Sequence, residues 1–193
     1  MEGTWAHVTQ IERQGSSQFF VYNIETQTWR SLKSMPDSRY AHSMVLHLSS
    51  LSKPTLYVIG GTNKHDYKTI NSYDIESDTW TASALPQPVK LRFFSVSAIV
   101  GEILYVIGGR YMKQKPPERQ KTTEMVEKID LKTKVWETCA SLSKPMYFGS
   151  TSCISVFDNK IILYFVERFI MYDCGTNTWK PLRHHRQLLS GVL

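Results

Sequence analysis

Five cations fall within the twelve residues Arg110 to Lys121 (RYMKQKPPERQK): Arg110, Lys113, Lys115, Arg119 and Lys121, against Glu118 alone. Guanidinium and ammonium groups at that density hold carboxylate or phosphate by charge-assisted hydrogen bonds. Pro116-Pro117 interrupts any helix or strand, so the stretch reads as a long loop. It is either a docking loop for an acidic protein segment or a solvated insertion. Arg39 and Arg92 are two further candidates, each standing just before a strand-like stretch, His42 to Leu48 and Ser95 to Val100. His184-His185 is the only adjacent histidine pair, and with no convergent ligands it reads as an exposed tail pair. Cys139, Cys153 and Cys174 are odd in number and widely spaced, as reduced thiols are. Cys139 and Cys153, in or near strands, are expected to be small buried hydrophobes. There is no Gly-x-Ser-x-Gly elbow, no phosphate loop and no His-Glu-x-x-His. No catalytic residue, metal or cofactor is expected.

The composition sets the class. In 193 residues, 41% are hydrophobic and 12% aromatic, too apolar and varied for a disordered chain. A net charge of +6 is modest at this size, which argues against nucleic acid as the partner. The longest apolar run, Ile161 to Val166, is six residues against the ~20 that span a bilayer, so no membrane is expected. Met1 to Trp5 shows no secretory pattern, and a cytoplasmic location is expected.

The elements that would carry these cations show in the tryptophans. Trp29, Trp80, Trp136 and Trp179 are 51, 56 and 43 residues apart. Each follows an Asn or Asp by six residues: Asn23, Asp74, Asp130 and Asp173, three of them preceded by tyrosine (Tyr22, Tyr73, Tyr172). The four-residue stretches between are mostly polar and of hairpin-loop length. Leu56 to Gly61 and Leu104 to Gly109 are the same six letters, LYVIGG. Their near-continuous hydrophobicity predicts a strand covered on both faces. Gly60-Gly61 and Gly108-Gly109 predict a bend or a close backbone approach. Each unit thus holds about four short strands, and the tryptophans are expected to be buried between units.

Four-stranded units of ~50 residues are the mark of a β-propeller of the kelch type. The glycine doublet, the Tyr-Asp pair and the tryptophan resemble kelch repeats over about residues 19 to 183, most like those of kelch-like (BTB-kelch) proteins. The expected fold is all-β, a partial or small propeller of three and a half to four blades. The chain divides into units at about 1–36 (partial), 37–86, 87–142 and 143–183, with 184–193 as a tail. Residues 1 to 18 show no Gly-Gly block, and Thr4 to Ile11 are offered as one replacement strand. The fourth unit carries Val166-Glu167 in place of the doublet and only a tight hairpin after it. Too few units for the usual ring favour a fragment of a longer kelch protein over a closed small ring.

In an up-and-down blade, loops between the second and third strands share a face with the connections between blades. Thr62 to Thr69 and Arg110 to Thr123 would therefore lie beside Pro36 to Arg39, Pro86 to Arg92 and Ser143 to Tyr147. The resemblance implies that peptides bind there, with pocket arginines mapping onto Arg39 and Arg92; Met146 stands at the third such position. The alternative for Arg39 and Arg92 is that both pair with backbone carbonyls between blades. It also implies a non-enzymatic, substrate-binding region of a cullin-based ubiquitin ligase adaptor, contacting cullin only through a BTB region absent from this sequence. The alternatives are an actin- or cytoskeleton-binding kelch protein and an enzyme on a kelch scaffold. A protein partner with an acidic or phosphorylated segment is expected.

Overall fold

A computed structural model describes residues 15–49, 52–63, 66–112, 120–149, 152–165 and 168–182. Thr4 to Ile11, Lys113, Lys115, Arg119 and the 184–193 tail lie outside the described residues. Within them the chain is all-β, with 18 strands and no helix. Blade I contributes the hairpin β1 (Phe20–Asn23) and β2 (Thr28–Ser31). Blade II orders β3 (Ser43–Ser49), β4 (Ser52–Ile59), β7 (Asn71–Asp74) and β8 (Thr79–Thr81) side by side. A small hairpin, β5 (Thr62–Asn63) and β6 (Asp66–Tyr67), sits between β4 and β7. Blade III repeats this with β9 (Val96–Val100), β10 (Ile103–Ile107), β13 (Val126–Asp130) and β14 (Trp136–Thr138), and its hairpin is β11 (Arg110–Met112) and β12 (Gln120–Thr122). Blade IV is β15 (Cys153–Phe157), β16 (Lys160–Phe165), β17 (Arg168–Asp173) and β18 (Thr178–Leu182), where β16 and β17 are joined by two residues without a hairpin insert. All pairs are antiparallel. The result is a partial propeller.

The constant six-residue spacing has a local cause. Asp74 Oδ1 accepts the amides of Glu76 and Ser77, Asp130 Oδ1 those of Lys132 and Thr133, and Asp173 Oδ1 those of Gly175 and Thr176. Asn23 holds Thr26 in the same way. The side chain thus folds the turn, and the next strand returns the tryptophan opposite the residue before the Asp: Tyr73↔Trp80, Ile129↔Trp136, Tyr172↔Trp179.

Each tryptophan then ties its blade to the segment leaving the previous one. The indole N–H of Trp80 donates to Lys33 O (2.7 Å), that of Trp136 to Pro86 O (2.9 Å), and that of Trp179 to Ala140 O (2.8 Å). In two blades a second clamp closes beside it. Asp78 accepts from Tyr73 Oη and Lys33 N, as Asn177 does from Tyr172 Oη and Ala140 N. The three indoles are half-buried, not enclosed, because the N–H end sits at the blade's outer edge. Trp29 is 50% exposed, since no earlier blade among the described residues offers it a carbonyl.

At the inner edge the glycine doublets make the join. Gly61 N donates to Arg92 O, and Gly109 N to Met146 O (2.7 Å). Gly60 has φ +63°, and a Cβ there would lie 2.0 Å from Arg92 O. At Gly108 it would meet Met146 O at 2.7 Å. Ser16 N bonds Arg39 O in the matching place, so Gly15-Ser16 takes in the first unit the position that a Gly-Gly block holds in the next two.

LYVIGG is apolar throughout because its strand serves two interfaces. Leu104 and Val106 enter the core shared with blade II, while Tyr105 and Ile107 enter the core shared with blade IV. Cys139 is buried in that second core, but Cys153 is exposed, contrary to expectation. It alternates with Ile154, which faces blade III, and so points to the outer face of blade IV.

Gly60→Ala is expected to cost ~2–4 kcal/mol, from positive φ and the blocked carbonyl together. Gly101→Ala, with φ +59° but nothing within 4 Å, isolates the backbone part, about 1 kcal/mol; urea unfolding of both measures the difference. The turn amides, those of Ser77, Thr133 and Thr176 foremost, hold the carboxyls of Asp74, Asp130 and Asp173 below their ordinary pKa. A lowered folded pKa gives stability that is complete above the unfolded value of about 3.9 and is lost as pH falls through the folded one. The triple change Asp74→Asn, Asp130→Asn, Asp173→Asn keeps the acceptors, and should flatten acid unfolding below about pH 4 in a circular-dichroism titration.

Candidate protein-binding face

Arg39 and Arg92 begin their blades at the expected face, but their side chains turn inward, each 2% exposed. Arg39 Nη1 donates to Gly60 O (3.0 Å) and Thr69 O (2.9 Å), and Nη2 to Asp37 Oδ2 (3.0 Å). Arg92 Nη1 donates to Met125 O (3.0 Å), and Nη2 to Val106 O (3.3 Å) and Glu127 Oε2 (2.6 Å). Each guanidinium therefore joins the end of its blade's second strand to the start of its third, across the small hairpin. Burial pushes both pKa values down, opposed by Asp37 and by Glu127. The pocket role expected of these two arginines has no surface donor behind it; they hold the face from beneath.

The exposed chemistry lies above them, on blades III and IV. Arg110 stacks its guanidinium 3.8 Å from the centroid of Tyr147, and Lys90 places its ammonium 3.8 Å from that of Tyr111. Each contact crosses from the β11–β12 hairpin to a connection between blades, one on either side. Tyr147 is half exposed, with Phe94 beside it at 6.1 Å, and Lys121 on β12 is open to solvent. Lys90, Arg110 and Lys121 have no ion-pair partner among the described residues. Phe94 is held at φ +52°, its N bonded to Ala41 O and its O to Phe148 N, so the aromatic surface rests on a fixed backbone. Over blade II the face is closer to neutral, because Asp37 pairs with Arg39 and approaches Lys68.

Arg110 and Lys121 share this hairpin but leave it on opposite faces, since Arg110 pairs with Thr122 and Lys121 with Tyr111; Lys90, Phe94, Tyr111 and Tyr147 were not singled out from the sequence. A signal for Tyr147 existed. Arg39-Tyr40, Arg92-Phe93 and Met146-Tyr147 place an aromatic at the same position in three units. Among the described residues no group of three or more His, Cys, Asp or Glu could hold a metal, and no helix could cross a membrane. Burial raises the thiol pKa of Cys139 and Cys174, which keeps both protonated.

Glu127 is the buried counter-charge of the face: 1% exposed, with Oε1 accepting Val89 N (3.0 Å). Glu127→Ala should cost ~3–5 kcal/mol, because it strands a buried arginine. Arg92→Met should be costly too, because it strands Glu127 and takes donors from the carbonyls of Val106 and Met125, and the double change Arg92→Met, Glu127→Leu should cost clearly less than the two single changes added together. Thermal denaturation of the single and double variants checks this; additive losses would mean the pair is not coupled.

Comparison with known proteins agrees with this geometry. The family model for the KLHDC2/KLHL20/DRC7 Kelch-repeats domain matches residues 7–192. The chain is similar to a RING finger domain and kelch repeat-containing protein of Dictyostelium discoideum, 25% identical over 89% of this chain and 17% of that protein. Kelch-like protein 35 of Mus musculus is 26% identical over 86% of this chain and 26% of its own length. Kelch repeat and BTB domain-containing protein 12 of Danio rerio is 31% identical over 72% of this chain and 22% of its own length. The chain therefore spans about a sixth to a quarter of these relatives. With four repeat units joined by glycine doublets and inter-blade tryptophan bonds, the chain belongs to the kelch-repeat family.

Proposed function

We propose that this chain is a non-enzymatic recognition segment, binding an acidic or phosphorylated stretch of a cytoplasmic protein on the face formed by Lys90, Phe94, Arg110, Tyr111, Lys121 and Tyr147. The observation that carries this is the pair of cation–aromatic contacts, which fix two cations beside the exposed ring of Tyr147 and the half-buried ring of Tyr111 without neutralising them. Aromatic and arginine side chains are the residues that most often dominate protein interfaces. The role of the partner is a substrate of a cullin-based ubiquitin ligase. Supporting this are relatives whose names carry a BTB domain or a RING finger beside the kelch repeats. Cullin contact would then need a region outside this sequence.

The test is a pull-down followed by rate measurements on the recovered partner. Arg110→Ala with Tyr147→Ala should weaken binding about tenfold or more, chiefly by faster dissociation. Lys90→Glu with Lys121→Glu should mainly slow association, and the slowing should shrink as salt rises. Co-sedimentation with actin filaments that these changes leave intact would favour a cytoskeletal role instead.

A further inference from the structure

Blade IV departs from blades II and III at the same three places, and together they open a groove. Where blade III has Arg92 and Glu127, blade IV has Met146 and Ile170: Val106 pairs with Glu127 as Leu163 pairs with Ile170, and Gly109 N binds Met146 O as Gly61 N binds Arg92 O. Where blade III raises the β11–β12 hairpin, blade IV has a two-residue link. In blade III the corresponding space is closed, with Lys90 stacked on Tyr111 and Val89 N bonded to Glu127. In blade IV it is a cavity of about 440 Å³, its apolar wall formed by Leu142, Met146, Phe165, Ile170 and Trp179. That volume suits one bulky side chain with its flanking backbone.

Three exposed cations, Lys144, Arg168 and Lys180, also line the cavity, and among the described residues no acidic one does. None of the three has an ion-pair partner among the described residues. The groove adjoins Met146-Tyr147 and so continues the aromatic face. We propose that it is an anchor site for a single bulky aliphatic or aromatic side chain of a protein partner, flanked in that partner by Asp or Glu. This rests on the reading that the face binds protein, and adds what the partner must carry. The chain's own residues 183–193 follow the lining residue Leu182 in sequence, but they hold Arg183, Arg186 and two histidines with no acid, so charge opposes them as the occupant.

The probe is a random-peptide library displayed on phage and panned against the full chain, with the labelled consensus peptide then titrated by anisotropy. The expected consensus holds Leu, Ile, Phe or Trp with Asp or Glu on either side. Ser143→Trp, which fills the mouth from an exposed position, should weaken it about tenfold or more, as should the triple reversal Lys144→Glu, Arg168→Glu, Lys180→Glu. An unchanged melting curve confirms that the variants fold, and the reversal serves if Ser143→Trp does not. Peptides without an apolar anchor, or indifferent to both sets, overturn the groove. If such peptides are lost on Arg110→Ala with Tyr147→Ala, the recognition face stands without it; if they survive that too, both readings fall. A tenfold gain on Leu188→Ser with Leu189→Ser would give the groove to the chain's own tail, and a dimer dissociated by Ser143→Trp would give it to a second copy; either overturns the proposal.

Discussion

Every join between blades depends on one close approach, a carbonyl at the start of one blade against the glycine doublet that ends the second strand of the blade before it. At Gly60 the carbonyl of Arg92 occupies the volume a side chain would need. Because the approach is backbone to backbone, it fixes the spacing of blades independently of core side chains, which differ between interfaces. The outer tryptophan bonds act at the other end of the same interface. Two hydrogen-bonded points some distance apart fix an angle as well as a separation, so the blades meet in one orientation. The side chains between then fill a space of set shape.

The arginines follow from that geometry. A hairpin inserted between the second and third strands ends the ladder at a buried place, where the carbonyls of Gly60 and Thr69 in blade II, and of Val106 and Met125 in blade III, each take a guanidinium N–H, Met125 O beside the amide of Gly108. An under-satisfied buried carbonyl is costly, and a guanidinium, with donors in a rigid fork, reaches two of them at once. Its own charge then needs a neighbour, supplied by Asp37 in blade II and Glu127 in blade III. Blade IV has no insert, so no carbonyls to bridge, and methionine and isoleucine take the two positions. Polar filling and loop length vary together because one calls for the other.

That link explains what the sequence did and did not reveal. The repeat was legible because the Asx turn and the tryptophan bond demand fixed residue types at fixed spacing, whatever lies between. The glycine doublets were legible where both members are glycine. The first unit's Gly15-Ser16 was not, since its second member, whose N bonds Arg39 O, is a serine. For Arg39 and Arg92 the sequence left a pocket role and pairing with backbone carbonyls both open, and the structure has the second, within each blade. Strand alternation says where a Cα lies, and not whether a long side chain leaves the face or dives beneath it. Cys153 was misplaced for a related reason, because an apolar strand at the end of a series has only one covered side. The cation–aromatic contacts join residues 21 and 37 positions apart, and no local pattern carries such pairs.

The turns also set the distribution of charge. Asp74, Asp130 and Asp173 are needed at the hairpins between third and fourth strands, and Asp78 at the clamp beside them, all at the end of the blades opposite the β5–β6 and β11–β12 hairpins. Two lysines at that end meet carboxylates: Lys53 faces Asp74 and Glu76, and Lys160 faces Asp158. The acidic residues are thereby spent where the fold requires them, while Lys90, Arg110, Lys121, Lys144, Arg168 and Lys180 remain unpaired at or near the other end of blades III and IV. Among the described residues these six cations leave unpaired positive charge on one side of two blades. The recognition proposed for that side would need no separate basic domain; its charge would follow from which residues can fold a tight turn.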